Sequence, residues 1–123
     1  MPTFVVLEHD HPEPHWDFML ESGSVLKTWR LPEFPPQPGR AVIALALEDH
    51  RLLYLNNEGP ISGDRGSVVR RDKGSFMLLE GDFENGPLLL ALAGDTIHGA
   101  ATLRRVEGTT WEFSITPFSR DAP

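Results

Sequence analysis

The chain has 123 residues, no cysteine and a formal net charge of -7, so disulfides and thiolate sites are excluded and one domain, 1–123, is expected. An acidic chain is a poor candidate for tight, sequence-independent binding of a long duplex, because clustered Lys and Arg supply most of that affinity. A local basic patch or a metal would still let it act on a nucleic-acid end.

Eleven glycines and eleven prolines punctuate short apolar runs, and no long stretch carries apolar residues at helical spacing. Strands are predicted at residues 3–8, 15–21, 25–30, 41–48, 51–55, 67–71, 75–79, 88–93, 96–104 and 110–116. Turn signals between them include Glu21-Ser22-Gly23-Ser24, Asp72-Lys73-Gly74, Ala93-Gly94-Asp95 and Glu107-Gly108. Pro32, Pro35, Pro36 and Pro38 deny a regular ladder to their segment, which must be a surface loop. Residues 41–47 are apolar throughout, which fits either a strand buried on both faces or a short helix. The tail after Pro117 is expected to be loosely held. So many short strands in so small a chain predict an all-β fold: a compact, closed or nearly closed antiparallel barrel with long loops and at most short helices. No apolar run reaches the ~18 residues of a membrane span. Met1-Pro2-Thr3-Phe4 has no basic segment ahead of an apolar one, so a cytoplasmic location is expected.

Three of the five histidines fall in the stretch Glu8-His9-Asp10-His11-Pro12-Glu13-Pro14-His15-Trp16-Asp17-Phe18-Met19-Leu20-Glu21. Pro12 and Pro14 force a turn between His9 and His15. Beyond it the pattern alternates, so His15, Asp17, Met19 and Glu21 share one strand face while Trp16, Phe18 and Leu20 make a core face. A returning strand ending in His9 would bring a second imidazole beside them. Two neutral imidazoles and a carboxylate suit a divalent transition metal with positions left for water and a substrate oxygen; the same residues also read as surface histidines flanking a turn. His11 reads as solvated. The run Glu48-Asp49-His50-Arg51-Leu52-Leu53-Tyr54 is by itself a solvated corner. If His50 and Tyr54 share a face, they offer an imidazole and a phenol to a phosphate oxygen or a leaving group. His98, beside a turn, reads as structural, and Arg70-Arg71 and Arg104-Arg105 read as solvated edge pairs.

In this order the pieces resemble the 3′-phosphoesterase domain of bacterial DNA ligase D, whose signature is His, five residues, then His-x-Asp-x-Arg. His9, His15 and Asp17 have that spacing. The Leu26-Lys27-Thr28-Trp29-Arg30-Leu31-Pro32 segment, the Glu48-Asp49-His50 to Tyr54 element, the Glu58-Gly59-x-Ile61 turn, the stretch from Leu92 to Gly99 and the closing Trp111-Glu112-Phe113-Ser114-Ile115 continue the likeness. The resemblance implies a compact β-barrel and a manganese-dependent enzyme that removes a 3′-ribonucleoside and then a 3′-phosphate from a DNA end. His9, His15 and Asp17 would hold the metal, for which zinc is an alternative, and His50 and Tyr54 would engage the scissile phosphate. Nucleic-acid 3′ ends, or another phosphate ester, are then the expected substrate, and a DNA ligase or end-joining protein the expected partner. Two departures stand out: Met19 replaces the signature Arg, and Glu33 follows Pro32 where the family usually has Lys. A methionine cannot make charge-assisted bonds to phosphate, so slow turnover is expected unless another cation, Arg30 or Arg65, fills the role. The alternatives to a DNA 3′-end enzyme are a non-catalytic, metal-binding scaffold in end joining and a phosphoesterase on a substrate other than nucleic acid.

Overall fold

Alternation along β1 (Thr3–His9) and β2 (His15–Ser22) splits each strand between two apolar environments. Phe4, Val6, Phe18 and Leu20 enter one large core cluster, whereas Val5, Leu7 and Met19, the residues between them, enter a second. A strand with successive side chains on opposite faces can do this only if both faces of the sheet are covered.

The computed structural model describes residues 1–56, 58–61 and 63–118. After β2 come β3 (Val25–Leu31), β4 (Val42–Ala46), β5 (His50–Arg51), a 3-10 turn (Leu52–Leu55), β6 (Gly59–Pro60), β7 (Ser67–Glu80), β8 (Leu88–Gly94), β9 (His98–Glu107) and β10 (Thr110–Pro117). All pairings are antiparallel, in the order β1-β2-β3-β4-β10-β9-β8-β7, and β7 returns to β1. Among the described residues, eight strands thus close into an antiparallel barrel, which leaves no long edge for another chain to extend. The short β5 and β6 attach outside it, to β3 and β7.

The barrel interior holds Phe4, Phe18, Leu20, Leu31, Leu90, Leu103 and Phe113, all fully buried, each worth roughly 1.5–3 kcal/mol of burial. The Phe18 and Phe113 rings meet at 5.0 Å. The second cluster lies on the outer wall, where Val5, Leu7, Met19 and Leu26 are capped by Leu52, Tyr54, Leu55 and Val68. This outer core exists because residues 52–55 fold over β1 and β2.

Three expectations are corrected. The strand predicted at 51–55 ends at Arg51: after the two-residue β5, residues 52–55 turn as a 3-10 helix that lays Leu52 and Leu55 on the outer wall. Residues 67–71 and 75–79 are one continuous strand, β7, and Asp72-Lys73-Gly74 lies inside it. There the ladder with β1 shifts register between Val6 and Leu7. A Cβ on Gly74 would strike the Ala93 carbonyl, so this glycine marks a close strand approach rather than a turn. Asp72, 2% exposed, accepts the main-chain N–H groups of Lys73, Thr96 and Ile97 at 2.9, 3.1 and 3.0 Å. Residues 41–47 do carry a strand, but not one buried on both faces: β4 buries Val42 and Ala44 and leaves Ile43 and Leu45 50% and 42% exposed. The proline-rich segment 32–39 does lie outside the ladder. Of the expected loose tail after Pro117, Phe118 donates its N–H to His98 O at 2.9 Å, and residues 119–123 lie outside the described residues. Among the described residues no helix is long and apolar enough to cross a membrane.

Candidate active site

The β1–β2 ladder sets the site's geometry. In its register His9 is the direct partner of His15, and the two imidazole rings stand 5.0 Å apart, edge to face. Directly paired residues share a face, so His9, His15 and, one pleat further on, Asp17 lie together on the outer wall. The strand alternation and the turn thus bring the three to one face of the sheet.

Each histidine is anchored by a main-chain carbonyl. A carbonyl only accepts, so the nitrogen facing it carries the proton and the other nitrogen of the neutral ring keeps its lone pair. His15 Nδ1–H donates to Glu13 O at 2.9 Å, which leaves Nε2 as the basic atom. That Nε2 is buried, has no hydrogen-bond partner among the described residues and lies 3.9 Å from Asp17 Oδ2. Asp17, 7% exposed, divides its carboxylate: Oδ1 accepts Arg30 Nε at 3.1 Å, and Oδ2 is turned to His15. His9 Nε2–H donates to the Arg65 carbonyl at 2.7 Å, leaving Nδ1. His50 Nδ1–H donates to Glu48 O at 2.8 Å, leaving Nε2.

These features fit a metal ion in part. A buried imidazole lone pair facing a carboxylate, with the opposite ring N–H fixed by a carbonyl, is the donor arrangement of a histidine-carboxylate site. Two donors on one ion sit roughly 3 Å apart, close to the observed 3.9 Å. Among the described residues no three His, Asp or Glu side chains converge as they stand. The ready seat is therefore two-sided, His15 with Asp17, and the His9 ring lies beside it.

His50 and Tyr54 come together as well, with ring centroids 5.6 Å apart. The 3-10 turn brings them together; along an extended strand, residues four apart are roughly 13 Å apart. A cleft of about 240 Å³ is lined by His9, Asp17, Met19, Arg30, His50 and Tyr54, with Arg65 at its wall. His15 opens instead to two neighbouring depressions, one with Pro12, Glu13 and Pro14 and one with the exposed apolar pair Ile43 and Leu45. Arg30 lines all three. His98, expected to be structural, is exposed at the start of β9, and its carbonyl accepts the Phe118 N–H at 2.9 Å. His11 is exposed as expected.

Sequence reasoning missed the loop contacts around His9. Asp10 accepts the Ser67 N–H at 2.8 Å, and this bond holds its carboxyl below the ordinary value. It ties the β1–β2 turn to the segment that carries Arg65. The acidic residue next to His9 was the available signal.

The family model for the DNA ligase D 3′-phosphoesterase domain matches residues 7–105. The multifunctional non-homologous end joining DNA repair protein LigD of Mycobacterium tuberculosis is 36% identical over 115 residues, covering 89% of this chain and 15% of that protein. The LigD of Pseudomonas aeruginosa is 34% identical over 103 residues, 78% of this chain and 12% of its own. The Mycolicibacterium smegmatis protein is 29% identical over 121 residues, 88% and 16%. The chain therefore spans less than a fifth of the curated relatives it matches.

Proposed function

Because the chain belongs to the DNA ligase D 3′-phosphoesterase domain family, we propose that it is a metal-dependent phosphoesterase that removes a 3′-phosphate or a 3′-ribonucleotide from DNA ends. The observation that carries this reading is the buried, unpartnered Nε2 of His15 facing the Asp17 carboxylate. A buried lone pair without a partner is disfavoured by roughly 1–3 kcal/mol, and a bound cation removes that penalty. His15 and Asp17, joined by His9, would hold a divalent transition ion, manganese in function and zinc as the alternative. Once bound, such an ion supplies Lewis-acid neutralisation of phosphate charge and a more acidic water.

The chain's own groups divide the remaining work. Asp17 is oriented by Arg30. His50, fixed through Nδ1–H to Glu48, keeps Nε2 to take a proton from the attacking water and pass it to the leaving oxygen. The Tyr54 hydroxyl, in the same cleft, is a hydrogen-bond donor for a non-bridging phosphate oxygen. Leu7 and Val68 wall the cleft with apolar surface, which strengthens each of these polar contacts. The product, a 3′-hydroxyl, is the end a DNA ligase requires, so an end-joining ligase is the partner this reading implies.

A second reading, a metal-binding scaffold in end joining, draws on Met19 at the signature arginine position and on the absence of a three-sided metal cage among the described residues. A primer carrying a 3′-phosphate or a single 3′-ribonucleotide, incubated with the protein and manganese, separates the two. Release of phosphate or nucleoside that disappears in His50→Ala supports the enzyme. Metal binding without release supports the scaffold. Hydrolysis of small phosphate esters but not of primer ends identifies a substrate other than nucleic acid.

A further inference from the structure

We propose that Arg30 provides this domain's phosphate-binding guanidinium, supplying from β3 the charge that Met19 cannot supply from β2. The inference rests on the phosphoesterase reading and assigns the substrate contact within it.

The β2–β3 register pairs Asp17 with Arg30 and Met19 with Thr28. Arg30 therefore stands on the outer wall beside the carboxylate, one pleat from Met19. Its Nε is committed to Asp17 at 3.1 Å, which fixes the plane of the guanidinium. The two terminal nitrogens have no partner among the described residues, and the side chain is 39% exposed. A guanidinium has five donors in a rigid fork, so four remain for a phosphate. Arg30 lines the cleft that holds Met19, His50 and Tyr54, and also both depressions beside His15. It thus stands where these hollows meet.

The chain's other cations are largely engaged elsewhere. Lys27 pairs with Asp49 and Glu84, Arg40 with Glu33, Arg71 with Glu8 and Arg104 with Glu112. Arg65 reaches the cleft wall, and its main chain already serves His9. A guanidinium held by a carboxylate is a preorganised anion site, since little rearrangement is needed when charge arrives. The bland reading is that Arg30 only neutralises Asp17. A pure counter-ion would be replaced without loss of phosphate affinity by Arg30→Lys, which keeps the charge beside Asp17 and removes only the fork.

The test uses the full chain and four proteins: wild type, Arg30→Gln, Arg65→Gln and the double variant Met19→Arg/Arg30→Gln. Inorganic phosphate binding is measured without added metal, and kcat and KM with manganese on a 3′-phosphate primer. Arg30→Gln is expected to weaken phosphate at least about ten-fold and to lower kcat by about 10²-fold. Arg65→Gln should cost less than Arg30→Gln on both readouts, and the double variant should regain most of the loss. If Arg30→Gln does not fold, Arg30→Lys, which keeps the charge beside Asp17 and loses the fork, should still weaken phosphate several-fold. Unchanged phosphate binding in the Arg30 variants overturns the proposal, as does a loss confined to Arg65→Gln. A wild type inactive on primer ends that nevertheless binds phosphate through Arg30 overturns the phosphoesterase reading alone.

Discussion

Replacing His15 by Leu should abolish the stabilisation that a metal ion gives the wild type while leaving the metal-free protein about as stable. In the free chain His15 Nε2 is buried without a partner among the described residues, a penalty of about 1–3 kcal/mol that Leu, of similar volume, does not carry. Against this gain stands the lost hydrogen bond to Glu13 O, worth a net of about 1 kcal/mol and replaceable by water because Glu13 is exposed. With chelator present, the variant should therefore match wild type to within about 1 kcal/mol or exceed it. Manganese at 100 times its dissociation constant should stabilise wild type by about 2.7 kcal/mol and leave the variant unmoved. Urea unfolding with and without chelator measures all four values, and equal m-values exclude a change in the unfolded state. The reasoning fails if the variant is several kcal/mol weaker in chelator, or if manganese stabilises both proteins equally.

Asp72→Ala strips three N–H groups of a charged acceptor and should destabilise by about 3–5 kcal/mol. Gly94→Ala places a methyl 2.5 and 2.6 Å from the Asp72 carboxylate oxygens, so a double-mutant cycle of the two should be strongly non-additive. Asp10, whose carboxyl is held low by the Ser67 N–H, contributes stability above the ordinary carboxylate pKa. That contribution is lost as pH falls through the lowered folded value, so the gap between wild type and Asp10→Asn at pH 6 should close under strong acid. With a net charge of -7 and Lys27, Arg30, Arg40, Arg71 and Arg104 in ion pairs, the chain should bind duplex DNA with a shallow salt dependence. A slope equivalent to six or more phosphate contacts would point to a basic surface overlooked above.

The first half of the site was legible because it is written in period two. Trp16, Phe18 and Leu20 alternate with His15, Asp17 and Met19, and Pro12 and Pro14 mark the reversal that pairs His9 with His15. The His50–Tyr54 pair was legible only as a condition, since a spacing of four joins two rings in a helical turn and separates them in a strand. Nothing in Leu52-Leu53 chooses between these; the choice comes from the apolar outer wall that the turn covers. Asp72-Lys73-Gly74 misled because residues suited to turns serve here for a buried acceptor and a close strand approach. In β4 the alternation was present but hidden, every residue from 42 to 46 being apolar. Arg30 was the hardest to assign. Its meaning depends on which residue faces it across the ladder, and strand register is a property of the assembled sheet.

The two-sided wall also bears on how such a domain is inherited. Phe18 and Leu20 hold the barrel from within, while Asp17 and Met19, their neighbours in the chain, face the cleft. Mutations drifting through the outward positions can erase or rebuild a reaction while the inward ones continue to specify the same fold. A lineage with this construction can pass between enzyme and inert adaptor without ever losing its shape, and can move a lost charge to a neighbouring strand.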